Sequence, residues 1–255
     1  MEKERMGMNR TGIQMSPADA RKMQDMVPDV AEIPGDAALA AARGPYIAEA
    51  DALGSVPLPG TLRGAVSTGA TLLKGERPQL LVDKLGERLA FERTGTRLYD
   101  ALINKCEVLL DDTISMTLED VRRIRGDEAR HMALVADAME TLGADPTAVT
   151  PSADLAGMEA MGLVQVLNDP RTTLAQCLHA ILTAELSDRA GWETLIALAD
   201  AQDLDDLVVQ FSDALDSERE HLAMVETWYA ESIGLTYGDV TLDAGAGSED
   251  QLPNS

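Results

Sequence analysis

The sequence lacks the features that mark several large classes of protein. Its only two cysteines, Cys106 and Cys177, are far apart, so no C-x-x-C motif is present to hold zinc or a rubredoxin-type iron. Both cysteines fall on apolar stripes of expected helices, which indicates buried free thiols. No run of 18 apolar residues could cross a membrane, and no apolar segment follows the charged start Met1–Arg5 as in a secretory signal. We therefore expect a cytoplasmic protein that does not bind a membrane.

Positive charge and aromatic side chains are also scarce. The chain has 21 Lys and Arg against 44 Asp and Glu, which gives a formal net charge of −23. Nucleic acids and anionic membranes need clustered basic residues, so neither is an expected partner, whereas the acidity suits a protein that binds cations. Aromatic residues make up only 3% of the chain. The remaining apolar residues are mainly Ala, Leu and Met, which favour helices over sheets and predict an all-α protein.

Changes in composition and in helical periodicity divide the chain into three parts. Residues 1–78 are interrupted repeatedly by Pro and Gly and predict an irregular N-terminal extension, partly helical or disordered, that lies on the main domain or on a partner subunit. Within it, Ala37–Arg43 predicts a helical turn or two, and Thr61–Lys74 a short helix weakened by glycines. Residues 79–234 carry helical periodicity throughout. Residues 235–255 are acidic and Gly-rich, which predicts a flexible tail.

Local signals predict where the main helices begin and end. After a first helix from Gln79, Thr117 suits the N-cap of a second helix, which should stop at Gly143. A third helix is expected to begin with Asp169 as its N-cap and Pro170 at its first position. The fourth helix follows a tight turn and should end before Gly234.

The lengths of the connections predict the topology. Residues 144–169 form a long connection, which contains a predicted short helix at Leu155–Leu167. Short turns join the first helix to the second and the third to the fourth. Two hairpins separated by one long crossover predict an antiparallel four-helix bundle.

One motif occurs twice on these helices. Glu128-x-x-His131 lies on the second helix, and Glu218-x-x-His221 lies on the fourth. Residues three apart share one face of a helix, so each pair can direct a carboxylate and an imidazole to one point. Two single glutamates at matched positions on the partner helices complete the set: Glu92 and Glu185. Four buried carboxylates without a cation would be strongly destabilising, whereas two divalent ions balance their charge. The sequence therefore predicts a dinuclear metal site with six ligands.

The two halves also differ near this site. An aromatic residue follows each single glutamate by seven positions, Tyr99 in the first half and Trp192 in the second. Asp188 lies three residues after Glu185, where the stripe expects an apolar side chain, and the matching residue in the first half is Gly95. Asp188 and Tyr99 are thus the candidate catalytic residues. For Asp188 we consider three roles: a seventh ligand, an acceptor for a histidine N–H, or the partner, at the surface, of Arg189 or of an arginine on another helix. Gly95 predicts open space on the other side of the site.

This arrangement resembles the ferritin-like superfamily, and most closely its rubrerythrin-type di-iron branch. The residues that carry the resemblance are Glu92 with Tyr99, Glu128-x-x-His131, Glu185 with the extra acid Asp188, and Glu218-x-x-His221. The resemblance implies that the six Glu and His residues bind two irons. It also implies that the extra acid lets the site exchange ligands during peroxide reduction, although Asp is shorter than the usual Glu. No rubredoxin domain is present, so electrons would come from an external donor.

Several functions are compatible with these residues. The favoured one is an oxidoreductase, a homodimer or larger homo-oligomer, in which two iron ions reduce peroxide or dioxygen beside the space at Gly95. Manganese catalases look similar in fold and ligand type, so two manganese ions are the alternative. A ferritin-like storage shell would use the same site to oxidise Fe(II). An oxygenase acting on a small organic substrate and a metal-free structural bundle are the other two possibilities.

Overall fold

The computed structural model describes residues 17–26, 34–57 and 78–236 of the chain. Its secondary structure in these ranges is entirely helical. The predicted helix at Thr61–Lys74 and the tail beyond Thr236 lie outside the described residues. The helices are α1 (Pro17–Met26), α2 (Pro34–Glu49), α3 (Pro78–Leu109), α4 (Leu118–Thr141), α5 (Pro151–Asn168), α6 (Leu174–Asp200) and α7 (Asp205–Ser232).

The described residues fall into two compact units, with α1 and α2 in Glu2–Gly54 and α3 to α7 in Ser55–Ser255. Helix α2 is longer than the turn or two expected at Ala37–Arg43, because it continues through Gly44 and Pro45. Its side chains from Ala37 onwards are exposed. No helix among the described residues is long and apolar enough to cross a membrane.

The helices of the second unit pack around a common core. Helix α3 packs against α4 and α6, and α7 packs against α6 and α4. Helix α5 lies in the connection between α4 and α6 and packs mainly along α3. It is longer than the predicted short helix, since Thr150 caps its amino end and Pro151 occupies its first turn. The described residues thus contain two helical hairpins, α3–α4 and α6–α7, joined through α5.

The core of this unit consists of two apolar clusters with a polar layer between them. One cluster includes Tyr99, Cys106 and Cys177, and both cysteines are buried and free, as predicted. The other includes Trp192 and Phe211. Every one of the four long helices passes from one cluster to the other, and near the boundary each of them buries charged or polar residues. Burial of each large apolar side chain contributes about 1.5–3 kcal/mol, which offsets the cost of placing this polar layer inside the protein.

The helix ends confirm one predicted cap and correct another. The Thr117 side chain accepts a hydrogen bond from the backbone N–H of Asp120, so Thr117 is the N-cap of α4 as predicted. The predicted N-cap of the third helix, Asp169, is wrong. Asp169 instead ends α5 and accepts hydrogen bonds from Arg171. Helix α6 begins after Thr173, whose side chain forms a reciprocal capping box with Gln176, and this box satisfies two backbone donors where Asp169 would satisfy one.

The crossover helix is seated on α3 by a close contact between Gly86 and Thr150. Thr150 is buried, and its hydroxyl donates to the backbone oxygen of Asp83 at 3.2 Å. A Cβ atom placed on Gly86 would lie 2.4 Å from the Thr150 hydroxyl oxygen. Glycine at position 86 therefore allows α5 to approach α3 at this point.

We expect Gly86→Ala to destabilise the protein by about 1–3 kcal/mol, because the added methyl group overpacks this contact. The matched control is Gly157→Ala on α5, where a Cβ meets nothing within 4 Å. That change should stabilise the protein by about 0.5–1 kcal/mol, since alanine is the better helix former. Chemical denaturation of both variants measures the two effects, and a neutral or stabilising Gly86→Ala would contradict the packing described.

Candidate metal centre

The polar layer brings together all six side chains that the sequence selected as metal ligands. Glu92 comes from α3, Glu128 and His131 from α4, Glu185 from α6, and Glu218 and His221 from α7. Five of the six are at most 2% exposed, and His131 is 7% exposed. Each lies on the face of its helix that continues the apolar stripe, which is why the periodicity could place them in the core.

These residues form two groups, each able to hold a metal ion. One group is Glu92, His131 and Glu218, and the other is Glu128, Glu185 and His221; within each group the candidate ligand atoms lie within 4.8 Å of one another. In each group, the single glutamate and the histidine come from the same hairpin. The second glutamate comes from the Glu-x-x-His motif of the other hairpin. Glu218 also contacts both imidazoles, with Oε1 at 2.6 Å from His131 Nδ1 and Oε2 at 3.2 Å from His221 Nδ1.

The hydrogen bonding of the layer fits a metal. Buried polar atoms in proteins nearly always have partners. Here one oxygen each of Glu92, Glu128 and Glu185 has no hydrogen-bond partner. With neutral imidazoles each group carries two negative charges, which one divalent cation balances. Buried Glu and His clusters of this composition could therefore hold metal ions.

The pKa values show how the protein accommodates these acids. Burial, together with neighbouring carboxylates, raises the pKa of Glu92, Glu128 and Glu185 well above the usual glutamate value. Burial acts on Glu218 too, but its hydrogen bonds with both histidines outweigh burial and lower its pKa to about 2. Burial opposes the charged form of His221, yet the contact with Glu218 prevails and raises the pKa of this imidazole. A metal ion must therefore displace protons to bind here.

Asp127 contacts a candidate ligand, although the spacing rules did not select it. Its carboxylate is mostly buried and lies 3.2 Å from His221 Nε2, on the side of the ring away from the glutamates. Arg123 Nη1, at 3.4 Å, and Arg130 hold the same carboxylate. A carboxylate behind a ligating imidazole fixes the orientation and tautomer of the ring. In the sequence, Asp127 is visible only as an acidic residue next to Glu128. Its partner His221 belongs to another helix, so no local pattern could identify the role of Asp127.

Asp188, the extra acid of the sequence, is held by a buried arginine. Arg88 Nη1 lies 2.9 Å from Asp188 Oδ1 and donates to the Asp188 backbone oxygen at 2.9 Å. Arg88 Nε lies 3.1 Å from Glu92 Oε1. Asp188 thus lies beside an arginine of another helix, but a buried one and not one at the surface. Its carboxylate also lies within 4.8 Å of ligand atoms of Glu92, Glu128 and Glu218, which fits the role of a seventh ligand. Burial raises the Asp188 pKa to about 7 even though Arg88 opposes the rise.

The two aromatic residues near the site differ in their contacts. The Tyr99 hydroxyl donates a hydrogen bond to Glu185 Oε1. Burial, together with the nearby Glu185 carboxylate, raises the Tyr99 pKa well above its usual value, so the hydroxyl remains a proton donor. Trp192 packs edge-on against His131, with ring centroids 5.5 Å apart. Tyr99 therefore touches a candidate ligand directly, whereas Trp192 forms the apolar wall of the site.

The expected open space beside Gly95 is absent. A Cβ atom placed on Gly95 would lie 2.0 Å from Glu128 Oε2, so the Glu128 carboxylate occupies the place that the missing side chain leaves. A local sequence comparison cannot show this, because Glu128 belongs to a different helix. The glycine serves a ligand and does not provide a substrate cavity.

Comparison with protein-family models, with curated proteins and with solved structures gives no match to this chain. The class of this protein therefore rests on its own geometry: an all-helical domain with a buried layer of carboxylates and histidines that could hold metal ions.

We expect the metal-free protein to lose stability as the pH rises from about 5 to about 8. Carboxyl groups whose pKa is raised on folding stabilise the fold while they are protonated, and this contribution is lost as the pH rises through the folded-state pKa. The raised pKa of His221 acts in the same direction, and the lowered pKa of Glu218 acts only at lower pH. Thermal denaturation of the full chain with a chelator at constant high salt checks the trend.

The control for this experiment compares two glutamates. Glu92→Gln removes one buried carboxyl group, so the decline of the melting temperature with pH should become shallower. Glu220→Gln changes an exposed glutamate of α7 and should leave the decline as in the wild type. A melting temperature that is constant or rises over this range would contradict the assignment of protonated buried carboxyl groups.

We expect Gly95→Ala to weaken metal binding by roughly tenfold or more, since its methyl group displaces the Glu128 carboxylate and misplacing one ligand costs a few kcal/mol. The control is Gly126→Ala on α4, where the nearest atom to an added Cβ is Arg130 Nη1 at an ordinary 3.5 Å. Metal titration of both variants gives the comparison. Equal affinity in Gly95→Ala and wild type would show that Glu128 does not need this space.

Proposed function

We propose that this chain is a ferritin-like four-helix bundle that binds two iron ions and reduces peroxide or dioxygen, in the manner of rubrerythrin-type proteins. The observation that carries the proposal is the pair of buried groups, each with two glutamates and one histidine. Carboxylates with one imidazole per metal suit iron or manganese better than zinc or copper. The unpartnered oxygens and the antiparallel helices that supply them support the same class.

The contacts suggest a role for each ligand. Glu218, which contacts both imidazoles, would help to hold the ion of the first group and keep both rings in place. Glu128, which belongs to the corresponding motif of the other hairpin, would help to hold the ion of the second group. Glu92 and His131 would complete the first group, and Glu185 and His221 the second.

Burial supports a small substrate. The ligands are almost fully enclosed, and the most exposed among them is His131 at 7%. Peroxide and dioxygen can reach such a layer through small fluctuations, whereas an organic substrate would need a cavity beside the ligands. This favours reduction of peroxide or dioxygen over oxygenation of an organic molecule.

The chain's own residues would prepare the centre for this chemistry. The chemistry that two redox-active ions would supply here, when bound, is the transfer of a pair of electrons to the substrate, which an external donor would restore. Tyr99 holds Glu185 through its hydroxyl hydrogen bond, and Asp127 fixes the ring of His221. The apolar clusters on either side of the layer exclude water, which strengthens these contacts. A homo-oligomeric assembly remains part of the proposal.

Metal content tests this function directly. Purified without oxygen and incubated with Fe(II), the protein should bind two ions per chain, and its visible spectrum should change when peroxide is added. Glu128→Ala and Glu218→Ala should each lose most of the bound metal, because each removes a carboxylate from the centre. Glu220→Ala removes an exposed glutamate two residues from Glu218 and should keep full metal content.

The outcomes separate the alternatives. Unchanged metal content in Glu128→Ala and Glu218→Ala would refute the metal centre. Preference for Mn(II) together with release of oxygen from peroxide would indicate a dimanganese catalase. A large hollow assembly that deposits mineral would indicate iron storage, whereas a dimer that consumes peroxide with an electron donor supports the proposed reductase.

A further inference from the structure

The buried pair of Arg88 and Asp188 belongs to the polar layer but not to the six candidate ligands. Arg88 is 4% exposed and Asp188 is 2% exposed, and they come from α3 and α6. A guanidinium beside a site for cations is unexpected, because it repels the ions that the carboxylates attract. The contacts around the pair show how it is held.

The surroundings fix the guanidinium in one place. Its Nη1 atom contacts both a side-chain oxygen and the backbone oxygen of Asp188 at 2.9 Å. The guanidinium carbon lies 4.2 Å from the centre of the Phe91 ring, which is a cation–π distance. A Cβ atom on Gly191 would lie 2.1 Å from Nη1, so α6 has a glycine where the arginine enters. Arg88 is therefore built into the interface between α3 and α6.

The matching positions of the other half lack this pair altogether. Arg88 lies four residues before Glu92, and the residue four before Glu185 is the buried, apolar Ile181. Asp188 lies three residues after Glu185, and the residue three after Glu92 is Gly95. The positive and the negative residue thus occur together on one side of the layer, and neither occurs on the other side.

The pairing of Arg88 with Asp188 sets the net charge of the buried layer. Asp127 is also buried here, but Arg123 and Arg130 balance its charge. The four glutamates and Asp188 carry five further negative charges when ionised, and Arg88 cancels one of them, which leaves four. Two divalent cations balance four negative charges. Without Arg88, the negative charge of Asp188 would not be cancelled. Its carboxylate would also be available to bind a metal ion, since it lies within 4.8 Å of ligand atoms of Glu92, Glu128 and Glu218.

We propose that Arg88 is a fixed internal counter-ion that retains Asp188 and sets the charge of the metal centre, so that two divalent ions are held by six ligands and not by seven. Arg88 also contacts Glu92 at 3.1 Å and so competes with a metal ion for that carboxylate. Arg88 is thus a positioning residue, and Asp188 acts as its partner. This inference rests on the proposed dinuclear centre.

A double-mutant cycle on the full chain tests the inference. The four proteins are the wild type, Arg88→Met, Asp188→Asn and the double variant, each prepared metal-free and titrated with Fe(II) alone under anaerobic conditions. Arg88→Met should bind Fe(II) roughly tenfold more tightly or better, because a nearby positive charge is lost and Asp188 becomes available. Asp188→Asn should bind roughly tenfold more weakly, because Arg88 then faces the ions without a counter-charge.

The double variant decides between a counter-ion and a ligand. If Asp188 only balances Arg88, removing both restores the charge, and Fe(II) affinity should return to within about threefold of the wild type. If Asp188 is a ligand, the double variant should bind as weakly as Asp188→Asn, which would overturn the inference. Weaker binding in Arg88→Met would overturn it as well, since a purely structural arginine predicts that result.

Two further measurements keep the test decisive. Thermal denaturation of the metal-free proteins should show that Arg88→Met is destabilised and that Asp188→Asn in the same chain recovers part of the loss, whether or not metal binds. If Arg88→Met does not fold, Arg88→Gln takes its place in the cycle, because its amide can still donate hydrogen bonds but carries no charge; it too should bind Fe(II) more tightly than the wild type, and weaker binding would overturn the inference. A wild-type protein that binds no Fe(II) would refute the proposed function itself, and a wild type that binds while the cycle fails would refute only the role of Arg88.

Discussion

Six carboxylates are buried in one layer of a helical core, and the five of them other than Asp127, which has its own two arginines, set the main physical constraint on this protein. A buried charge without a partner costs several kcal/mol, and apolar clusters above and below the layer deny it water. Without metal the protein meets this cost by three means: protons retained on glutamates, hydrogen bonds between Glu218 and the histidines, and the pairing of Asp188 with Arg88. The fold therefore positions the ligands in advance, while several of their oxygens still lack a partner.

The departures from internal symmetry have one common effect, which is to control the carboxylates. On one side of the layer Arg88 holds Asp188, and Gly191 makes room for the guanidinium. On the other side Gly95 makes room for Glu128. Both glycines permit the close approach of a charged side chain from another helix. The two sides thus differ in charge and in the freedom of their carboxylates, although they present the same ligand types.

Sequence periodicity could select the ligands because each of them continues an apolar stripe on its own helix. Glu92, Glu128 and Glu218 occupy positions where burial follows from spacing alone. The supporting residues could not be found in this way. Asp127 and Arg88 act on side chains of other helices, so their roles depend on how the helices are paired. The predicted start of α6 is wrong because it considers one residue at a time. The reciprocal contacts of Thr173 and Gln176 outweigh the preference of Asp169 for an N-cap.

The grouping of the ligands links the two hairpins. Each candidate metal position takes a glutamate and a histidine from one hairpin and the second glutamate from the other. Within the described part of the chain, α5 is the covalent link between the hairpins, so an ion bound in either group would act as a further cross-link through the middle of the core. Binding energy at such a site adds to the stability of the packed helices, because the ligands come together only in the folded state. Ion binding and the packing of the hairpins would consequently be parts of one equilibrium: loosening the hairpins would release a bound ion, and binding an ion would hold the hairpins together.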